Sequence, residues 1–539
     1  MCVSCQVNLV RLSSRNEEVF LKAFKKRFNT PGASHVENNS PKDNPALLAS
    51  FEELGITQQY GDIPCLENSE LDTDLPESSK FLENPISVNE VAYAINSSNR
   101  GKSPGLDGIP YDIIKEFSRK TIEWLTLFYN LVLTNGKIPA SWSEYKLIMV
   151  PKAGSQSFRP IALSSCFLKI LEKIIADRLT WFIESRGIIP MNFFGFRYGR
   201  SCQDCLSILR TDVDIAKAKK HYFGVIFIDI KGAFNHVNIK KLLEILTDVN
   251  IPIKITKLIA NVMLSRTLVG YSSGVCIGKV NTNSGCPQGS VLSPLLFNLY
   301  ISKLNNVFSH HVKALGFADD INFYSSHTEL QSLTDILTNN FQSLKAWLLS
   351  INMEISLSKT RFLLYPPNYG SIPPFTVTLT LDSDILYNVP SAKYLGLTWD
   401  YKLDWGYHIQ NLIEKGIKLL KIMRAISAHS WGGHPSTLLS IYKGLIRPSI
   451  EWGSFLYTQG QKKLLRKLDV IQNNALRMVS GCFKTTPLNV IHHICGIEPL
   501  HARRNISAVK FLVKKYSQTD SMLIPKLQWL GNRKNLPSN

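Results

Sequence analysis

The feature that most restricts the fold of this 539-residue chain is an apolar run at 223–228 that ends in the carboxylate of Asp229. A nearly continuous apolar stretch of this length is typical of a strand that is buried on both faces. Further along, two short apolar segments flank a tight turn that contains Asp319 and Asp320, which is the pattern of a hairpin. The sequence therefore predicts carboxylates at the ends of rigid, buried strands.

The composition fits a globular protein with a strong positive charge. Hydrophobic residues make up 44% and charged residues 19% of the chain, and the net charge is +19. Residues 43–77 contain nine acids and no Lys or Arg, whereas residues 401–539 contain 21 Lys and Arg against six acids. A basic surface of this kind is expected of a protein that neutralises nucleic-acid phosphates, although a membrane surface or a plain basic exterior accounts for the same charge.

The first 80 residues read as a partly disordered linker, because residues 29–46 are rich in turn formers and the acidic segment follows them. One basic amphipathic helix is expected there, near 17–28. The N-terminus lacks the features of a signal peptide, and no apolar stretch reaches the ~18 residues of a membrane span. The sequence therefore predicts a soluble, intracellular protein with no membrane partner.

From residue 81 onward the apolar pattern predicts regular elements. Ser87 and Glu90 have the spacing of a capping box at the start of a helix. Further elements are expected in this order: a strand at 146–151, a helix at 166–185, a strand that contains Lys359, a strand at 393–398, and helices after residue 407.

The carboxylates suggest a specific chemistry. Nucleotidyl transfer to a 3′-hydroxyl uses two divalent cations about 3.5–4 Å apart, and Mg²⁺ prefers carboxylate and phosphate oxygens. Asp229 at a strand end, beside the Asp319–Asp320 turn, would supply such ligands. Each element alone has an ordinary explanation, because a strand-terminal Asp is commonly a cap and paired Asp residues are commonly a solvated turn.

The neighbouring segments resemble the reverse transcriptases of non-LTR (LINE-type) retrotransposons, particularly jockey-like elements of insects, over residues 86–400. The resemblance rests on eight motifs in the family's order: GKSPGLDGI (101–109), RPIAL (159–163), NFFGFR (192–197), FIDIKGAF (227–234), GCPQGSVLSP (285–294), FADD (317–320), LSKT (357–360) and YLG (394–396). Eight ordered motifs over about 300 residues form a very specific match.

The resemblance implies roles for individual residues. Asp229, Asp319 and Asp320 would form the catalytic metal site, which would hold two Mg²⁺ ions, with Mn²⁺ as the alternative metal. Lys359 would protonate the departing pyrophosphate, and a solvated surface lysine is the alternative reading. The nucleotide-binding residues would be Arg159, Lys146, Lys152, Ile230, Phe234, Gln288 and Gly289. Among these, the phenylalanine would exclude a 2′-hydroxyl and so favour deoxynucleotides.

The family's fold is an α+β polymerase right hand with fingers, a palm built on an antiparallel sheet, and a helical thumb. It implies fingers and palm at 81–400, with a core at about 135–400, and a basic helical thumb or connector region at 401–539. The partners would be an RNA template, a DNA primer and deoxynucleoside triphosphates, in the nucleus or in a cytoplasmic ribonucleoprotein. The oligomeric state stays open.

Two departures from the family pattern favour alternatives. Motif A commonly has Asp where this chain has Asn235, and motif C commonly has Tyr where it has Phe317. Residues 1–80 are too short and turn-rich for the endonuclease that relatives often carry. A catalytically impaired remnant that only binds nucleic acid is therefore one alternative. An intron maturase is another, although the sequence lacks its dedicated intron-binding motifs.

Overall fold

The computed structural model describes residues 77–532, except 152–157, 265, 273–274, 369–372, 374, 382–383, 428–431, 459 and 519. Residues 1–76, which are nearly all of the expected linker and include the helix expected near 17–28, lie outside the described residues. None of the helices in the described ranges combines the length with the apolar character that a membrane span requires.

The fold mixes helices and sheets. Within the described ranges the helices are α1 (Glu77–Lys80), α2 (Val88–Ser97), α3 (Tyr111–Ile114), α4 (Arg119–Asn135), α5 (Cys166–Ser185), α6 (Cys202–Ala218), α7 (Ile239–Asp248), α8 (Ile253–Leu264), α9 (Ser293–Tyr300), α10 (Leu330–Ser350), α11 (Gly406–Ala425), α12 (Pro435–Ile441), α13 (Arg447–Glu451), α14 (Lys462–Ser480), α15 (Leu488–Cys495), α16 (Leu500–Tyr516) and α17 (Ile524–Gly531). The strands there are β1 (Glu144–Pro151), β2 (Phe158–Leu163), β3 (Tyr222–Asp229), β4 (Arg266–Ser272), β5 (Val275–Thr282), β6 (Lys313–Phe317), β7 (Asp320–His327), β8 (Arg361–Tyr365), β9 (Thr378–Leu381), β10 (Asp384–Tyr387), β11 (Ser391–Tyr394) and β12 (Leu397–Asp400).

The chain divides into two compact units that interleave along the sequence. In the described part of the chain, the first unit holds residues 77–190, 232–303 and 350–353. It contains a four-stranded sheet of order β2-β1-β4-β5, in which β1 and β4 are parallel and the other neighbours are antiparallel. Helix α5 of this unit is almost entirely apolar on its buried side.

The second unit holds residues 191–231, 304–349 and 354–532. Its sheet has the order β6-β7-β3-β8, and every neighbouring pair is antiparallel. Residues 223–228 of β3 are all buried, which confirms the strand expected from the apolar run. The core around this sheet continues without a break into the C-terminal helices, and its members include Leu206, Phe223, Trp399, Leu476 and Leu500.

Several local predictions are confirmed by the structure. Ser87 caps α2, and the reciprocal bonds of the capping box with Glu90 are both present. Helix α5 has the bounds expected for it, and strand β1 covers the strand expected at 146–151.

Two local predictions are wrong. Lys359 lies in a turn that precedes β8 and not within a strand. Residues 393–398 form a hairpin of β11 and β12 and not one strand. The backbone reverses there because Leu395 and Gly396 both have positive φ angles, 45° and 81°.

Candidate active site

The three predicted carboxylates lie together at one end of the sheet in the second unit. In the register of β3 and β7, Asp229 stands directly opposite Asp320, and such neighbours are about 4.5–5.5 Å apart at Cα in an antiparallel pair. Asp319 lies in the two-residue turn between β6 and β7. Its neighbour Ala318 has a φ of 57°, a left-handed conformation that costs a non-glycine residue about 1 kcal/mol or more. The turn that presents Asp319 is therefore strained, as turns at functional sites often are.

A backbone segment packs directly behind this turn. Phe194 N donates to Gly316 O at 2.8 Å, and Gly316 N donates to Asn192 O at 3.0 Å. A Cβ atom on Gly195 would lie 2.4 Å from Ala318 N, so only glycine permits this approach. The sequence-based prediction assigned no function to the individual residues of the motif at 192–197. In the structure this motif supports the backbone that carries Asp319.

The electrostatics of the site are dominated by negative charge. Desolvation, together with the carboxylates of Asp319 and Asp229, raises the pKa of Asp320 to about 6. One cation offsets this charge, since Lys359 Nζ donates to Asp229 Oδ2 at 3.3 Å. The structure therefore brings together all four residues for which the sequence predicted a catalytic role.

The donor chemistry of the site fits divalent metal, because hard cations such as Mg²⁺ prefer carboxylate oxygens. The negative charges of Asp229, Asp319 and Asp320 repel one another, which contributes to the raised pKa of Asp320. Bound cations would reduce this repulsion. Among the described residues, no group of three or more His, Cys, Asp or Glu side chains is already close enough to hold a metal ion.

The β11–β12 hairpin adjoins the same strands. Tyr394 contacts Phe227 of β3 in a tilted arrangement, with ring centroids 5.0 Å apart. The turn of the hairpin is held by Trp452, whose Nε1 donates to Leu395 O at 3.1 Å. A Cβ on Gly396 would lie 2.7 Å from that indole nitrogen. Nothing in the sequence pattern indicated Trp452, because its partner lies 57 residues away.

In the first unit, the structure brings together two of the segments expected to bind nucleotide. Ala162 N in β2 donates to Gln288 O at 2.8 Å, and a Cβ on Gly289 would lie 2.5 Å from Ala162 O. Gly289 has a φ of 130°, so the loop requires glycine both for conformation and for space. Arg159 lies exposed in the same strand as Ala162.

The remaining nucleotide-pocket candidates have varied surroundings. Phe234, half-buried in the first unit, stacks on Phe297 with ring centroids 4.6 Å apart, and Lys146 is half-buried in β1. Ile230 is buried in the second unit and pairs through its backbone with Ile355. Lys152 lies outside the described residues.

A buried acid beneath the 285–294 loop was missed by sequence reasoning. Glu172 is 1% exposed, and its Oε2 accepts a hydrogen bond from Val291 N at 2.8 Å. Burial raises the pKa of Glu172 to about 7, against the lowering effect of its hydrogen bonds from Val291 and Ser290. A Glu within an apolar helix, at a position where α5 is otherwise hydrophobic, is the signal that could have identified it.

Glu172 predicts a specific pH dependence of stability. Between about pH 4.5 and 7 the unfolded state ionises this carboxyl while the folded state keeps it protonated. The free energy of unfolding therefore decreases as pH rises through that window, by up to about 3 kcal/mol. Glu172→Gln is expected to remove this decrease. Urea unfolding at pH 4.5 and 7.5 gives the free energy of unfolding of the wild type and of the variant. The difference between the two proteins is expected to change between these pH values.

Glu123→Gln, which removes a half-exposed carboxylate of the same unit, is the matched control. If the wild type and Glu172→Gln differ by the same free energy at both pH values, the buried carboxyl does not titrate in this window and the prediction fails.

Residues 150–399 match the family described as reverse transcriptase (RNA-dependent DNA polymerase). The chain is similar to the probable RNA-directed DNA polymerase from transposon BS of Drosophila melanogaster, with 28% identity over 80% of this chain and 48% of that protein. It is also similar to the RNA-directed DNA polymerase from mobile element jockey of the same organism, with 26% identity over 75% of this chain and 46% of that protein. Among solved structures, an apo telomerase from Candida tropicalis aligns over 53% of this chain and 59% of its own, with 14% identity and a TM-score of 0.32, a similarity too low to bear on the fold.

Residues 150–399, which include Asp229, Asp319 and Asp320, are therefore a reverse transcriptase domain. The chain is also similar to the putative 115 kDa protein in the type-1 retrotransposable element R1DM of Drosophila melanogaster, with 25% identity over 80% of this chain and 42% of that protein. These relatives are proteins of insect transposons of the non-LTR type, which confirms the family resemblance expected from the motifs. The chain spans about half of the length of these relatives.

Proposed function

We propose that this chain catalyses RNA-directed DNA synthesis, in which deoxynucleotides are added to a primer 3′-hydroxyl in the order set by an RNA template. The observation that carries the proposal is the register of the second sheet, which sets Asp229 opposite Asp320 and leaves Asp319 in the adjoining turn. This arrangement supplies oxygen ligands on rigid elements, as two-metal nucleotidyl transfer requires.

Each carboxylate has a proposed role. Asp229 and Asp319 would hold two Mg²⁺ ions, and Asp320 would complete the negative charge around them. When bound, the ions supply Lewis acidity toward the 3′-hydroxyl and neutralise charge on the triphosphate. Lys359 Nζ, which donates to Asp229 in this structure, would be freed to give a proton to the pyrophosphate.

Residues expected to bind the nucleotide keep the roles that the family resemblance implies. Arg159, with Lys146 and Lys152, would neutralise the triphosphate through charge-assisted hydrogen bonds. Phe234 would disfavour a 2′-hydroxyl, and its stacking on Phe297 supports this role because it restricts the ring. Gln288 and Gly289 would shape the nucleotide pocket, where glycine permits close approach of the backbone, and Ile230 would also bind the nucleotide.

The remaining proposals concern domains and partners. The β6-β7-β3-β8 sheet would be the palm of a right hand, with fingers before it and a thumb in the basic helices after residue 400. A region with 21 Lys and Arg against six acids suits a grip on the phosphates of an RNA template paired with a DNA primer. Base pairing would read the sequence, while the protein would recognise shape and charge.

Primer extension by the full chain tests the proposal. A labelled DNA primer on an RNA template is expected to be extended with deoxynucleotides in the presence of Mg²⁺. The same assay is repeated with Mn²⁺ in place of Mg²⁺. Ribonucleotides are expected to be used far less efficiently. Chelation of the metal, or omission of the template, is expected to stop extension.

One outcome would favour the alternative function. If the folded chain binds the primer–template but adds no nucleotide in either metal, it is a retroelement remnant that only binds nucleic acid. The change to Asn235 in motif A is the observation that keeps this alternative in view.

A further inference from the structure

A cavity in the C-terminal part of the second unit has the character of an anion site. It has a volume of about 270 Å³ and is lined by Thr458 and by residues of α14 and α16. This volume leaves room for a group much larger than a water molecule, which takes about 30 Å³. The ionisable and amide side chains that line it are Lys462, Arg466, Asp469, His501, Arg504 and Asn505. We refer to it as the α14–α16 cavity.

Arg504 is the buried cation of this cavity. It is 5% exposed; its Nε donates to Leu500 O at 3.2 Å and its Nη2 donates to Asp469 Oδ1 at 2.8 Å. A guanidinium has five N–H donors in a fixed fork, and within the described residues these two bonds leave Nη1 with no protein acceptor. A buried arginine that is oriented by two protein acceptors and still has donors available is suited to bind an oxyanion.

Two helix N-termini reach the same cavity. Lys462 is the first residue of α14, and His501 is the second residue of α16. Neither helix has a side-chain hydrogen bond from its N-cap residue. The first-turn N–H groups and the positive end of each helix dipole therefore favour a negative ligand at this place.

The charges around the cavity agree with this preference. Lys462 and Arg466 are exposed and add two mobile cations to the buried Arg504. The one carboxylate, Asp469, already accepts a hydrogen bond from Arg504. The lining therefore keeps an excess of positive charge.

We propose that the α14–α16 cavity binds a phosphate group of the nucleic-acid backbone, and that it is a discrete contact of the primer–template duplex with the C-terminal helices. This proposal rests on the proposed polymerase function, since it takes the duplex as the source of the phosphate. The same oxyanion chemistry would also accept a free phosphate ion, so the experiment separates the two sources.

The test compares two double variants of the full chain that remove equal charge from one helix. Lys462→Gln/Arg466→Gln changes the cavity lining, whereas Lys463→Gln/Lys467→Gln changes two exposed lysines of α14 that do not line it. Binding of a labelled RNA–DNA hybrid is measured by fluorescence anisotropy at several KCl concentrations without nucleotides. The cavity variant is expected to lose about tenfold in affinity. The slope of its log affinity against log KCl concentration is expected to be smaller in magnitude by about 1. The control variant is expected to lose about threefold in affinity at most. Equal losses in the two variants would overturn the proposal.

Inorganic phosphate identifies the source of the ligand. The thermal midpoint of each variant is measured in phosphate and in chloride of equal ionic strength. If phosphate stabilises the wild type and not the cavity variant, while both double variants bind the hybrid equally, the ligand is a free ion and the backbone proposal is overturned. The binding assay does not depend on catalysis, because an Asp319→Asn chain is expected to bind the hybrid as the wild type does. The measured affinity for the hybrid would therefore test the cavity proposal even if the chain failed to extend a primer.

Discussion

Asp319→Asn is expected to slow nucleotide addition by on the order of a thousandfold, equivalent to about 4 kcal/mol of transition-state stabilisation. The variant keeps the size of the side chain and its place in the β6–β7 turn but removes one of the charges proposed to hold the metal ions. Steady-state primer extension on an RNA template, with template and nucleotide saturating, measures the change in kcat.

Asp335→Asn is the matched control for that experiment. Asp335 lies exposed on α10 of the same unit and accepts a hydrogen bond from Gln331, so its loss is expected to leave kcat within about twofold of the wild type. The hybrid affinity of Asp319→Asn, measured in parallel, separates loss of chemistry from loss of binding. If the kcat of Asp319→Asn equals that of the control, the carboxylate of Asp319 does not contribute to nucleotide addition.

Lys515→Met is expected to destabilise the second unit by about 3–5 kcal/mol, because it leaves a buried carboxylate without its cation. Lys515 Nζ lies 2.5 Å from Asp204 Oδ1, and both side chains are 5% exposed. The other oxygen of Asp204 already accepts from Ser201 N and Oγ, so those bonds cannot replace the ion pair. Urea unfolding followed by circular dichroism measures the loss.

A neighbouring lysine and a double variant make this prediction specific. Lys514→Met changes an exposed lysine of the same helix and is expected to alter stability by about 0.5 kcal/mol at most. The double variant Asp204→Asn/Lys515→Met is expected to lose less free energy of unfolding than the two single variants added together. It also removes the carboxylate that Lys515→Met alone leaves buried without a cation. Equal effects of Lys514→Met and Lys515→Met would show that the pair contributes no stability.

The sequence carried enough information to predict the elements that hold the carboxylates. The apolar run before Asp229 predicted a buried strand because burial on both faces requires an apolar residue at every position. The capping box at Ser87 was recognisable because its partners are three residues apart. Both features are local, and both are confirmed.

The errors and omissions share a physical cause. Residues 393–398 were expected to be one strand, because apolar periodicity does not show that Leu395 adopts a left-handed conformation. The contacts of Trp452 with Leu395 and of Glu172 with Val291 join residues 57 and 119 positions apart. Periodicity reports which face of an element is buried, and it does not report which distant residue will meet that face.

The interleaving of the two units has a consequence for the timing of folding during protein synthesis. Asp212, buried in α6, contacts two cations, Lys313 and Lys526, and the second of these lies 314 residues further along the chain. At about 5–20 residues per second, a ribosome would need tens of seconds to deliver that lysine after the aspartate has emerged. During this interval the residues of β3 and α6 have already been synthesised, but the C-terminal helices that complete their core have not. The core contacts between α6 and the C-terminal helices, and with them the complete packing around the strand that carries Asp229, therefore form only after α17 has been synthesised.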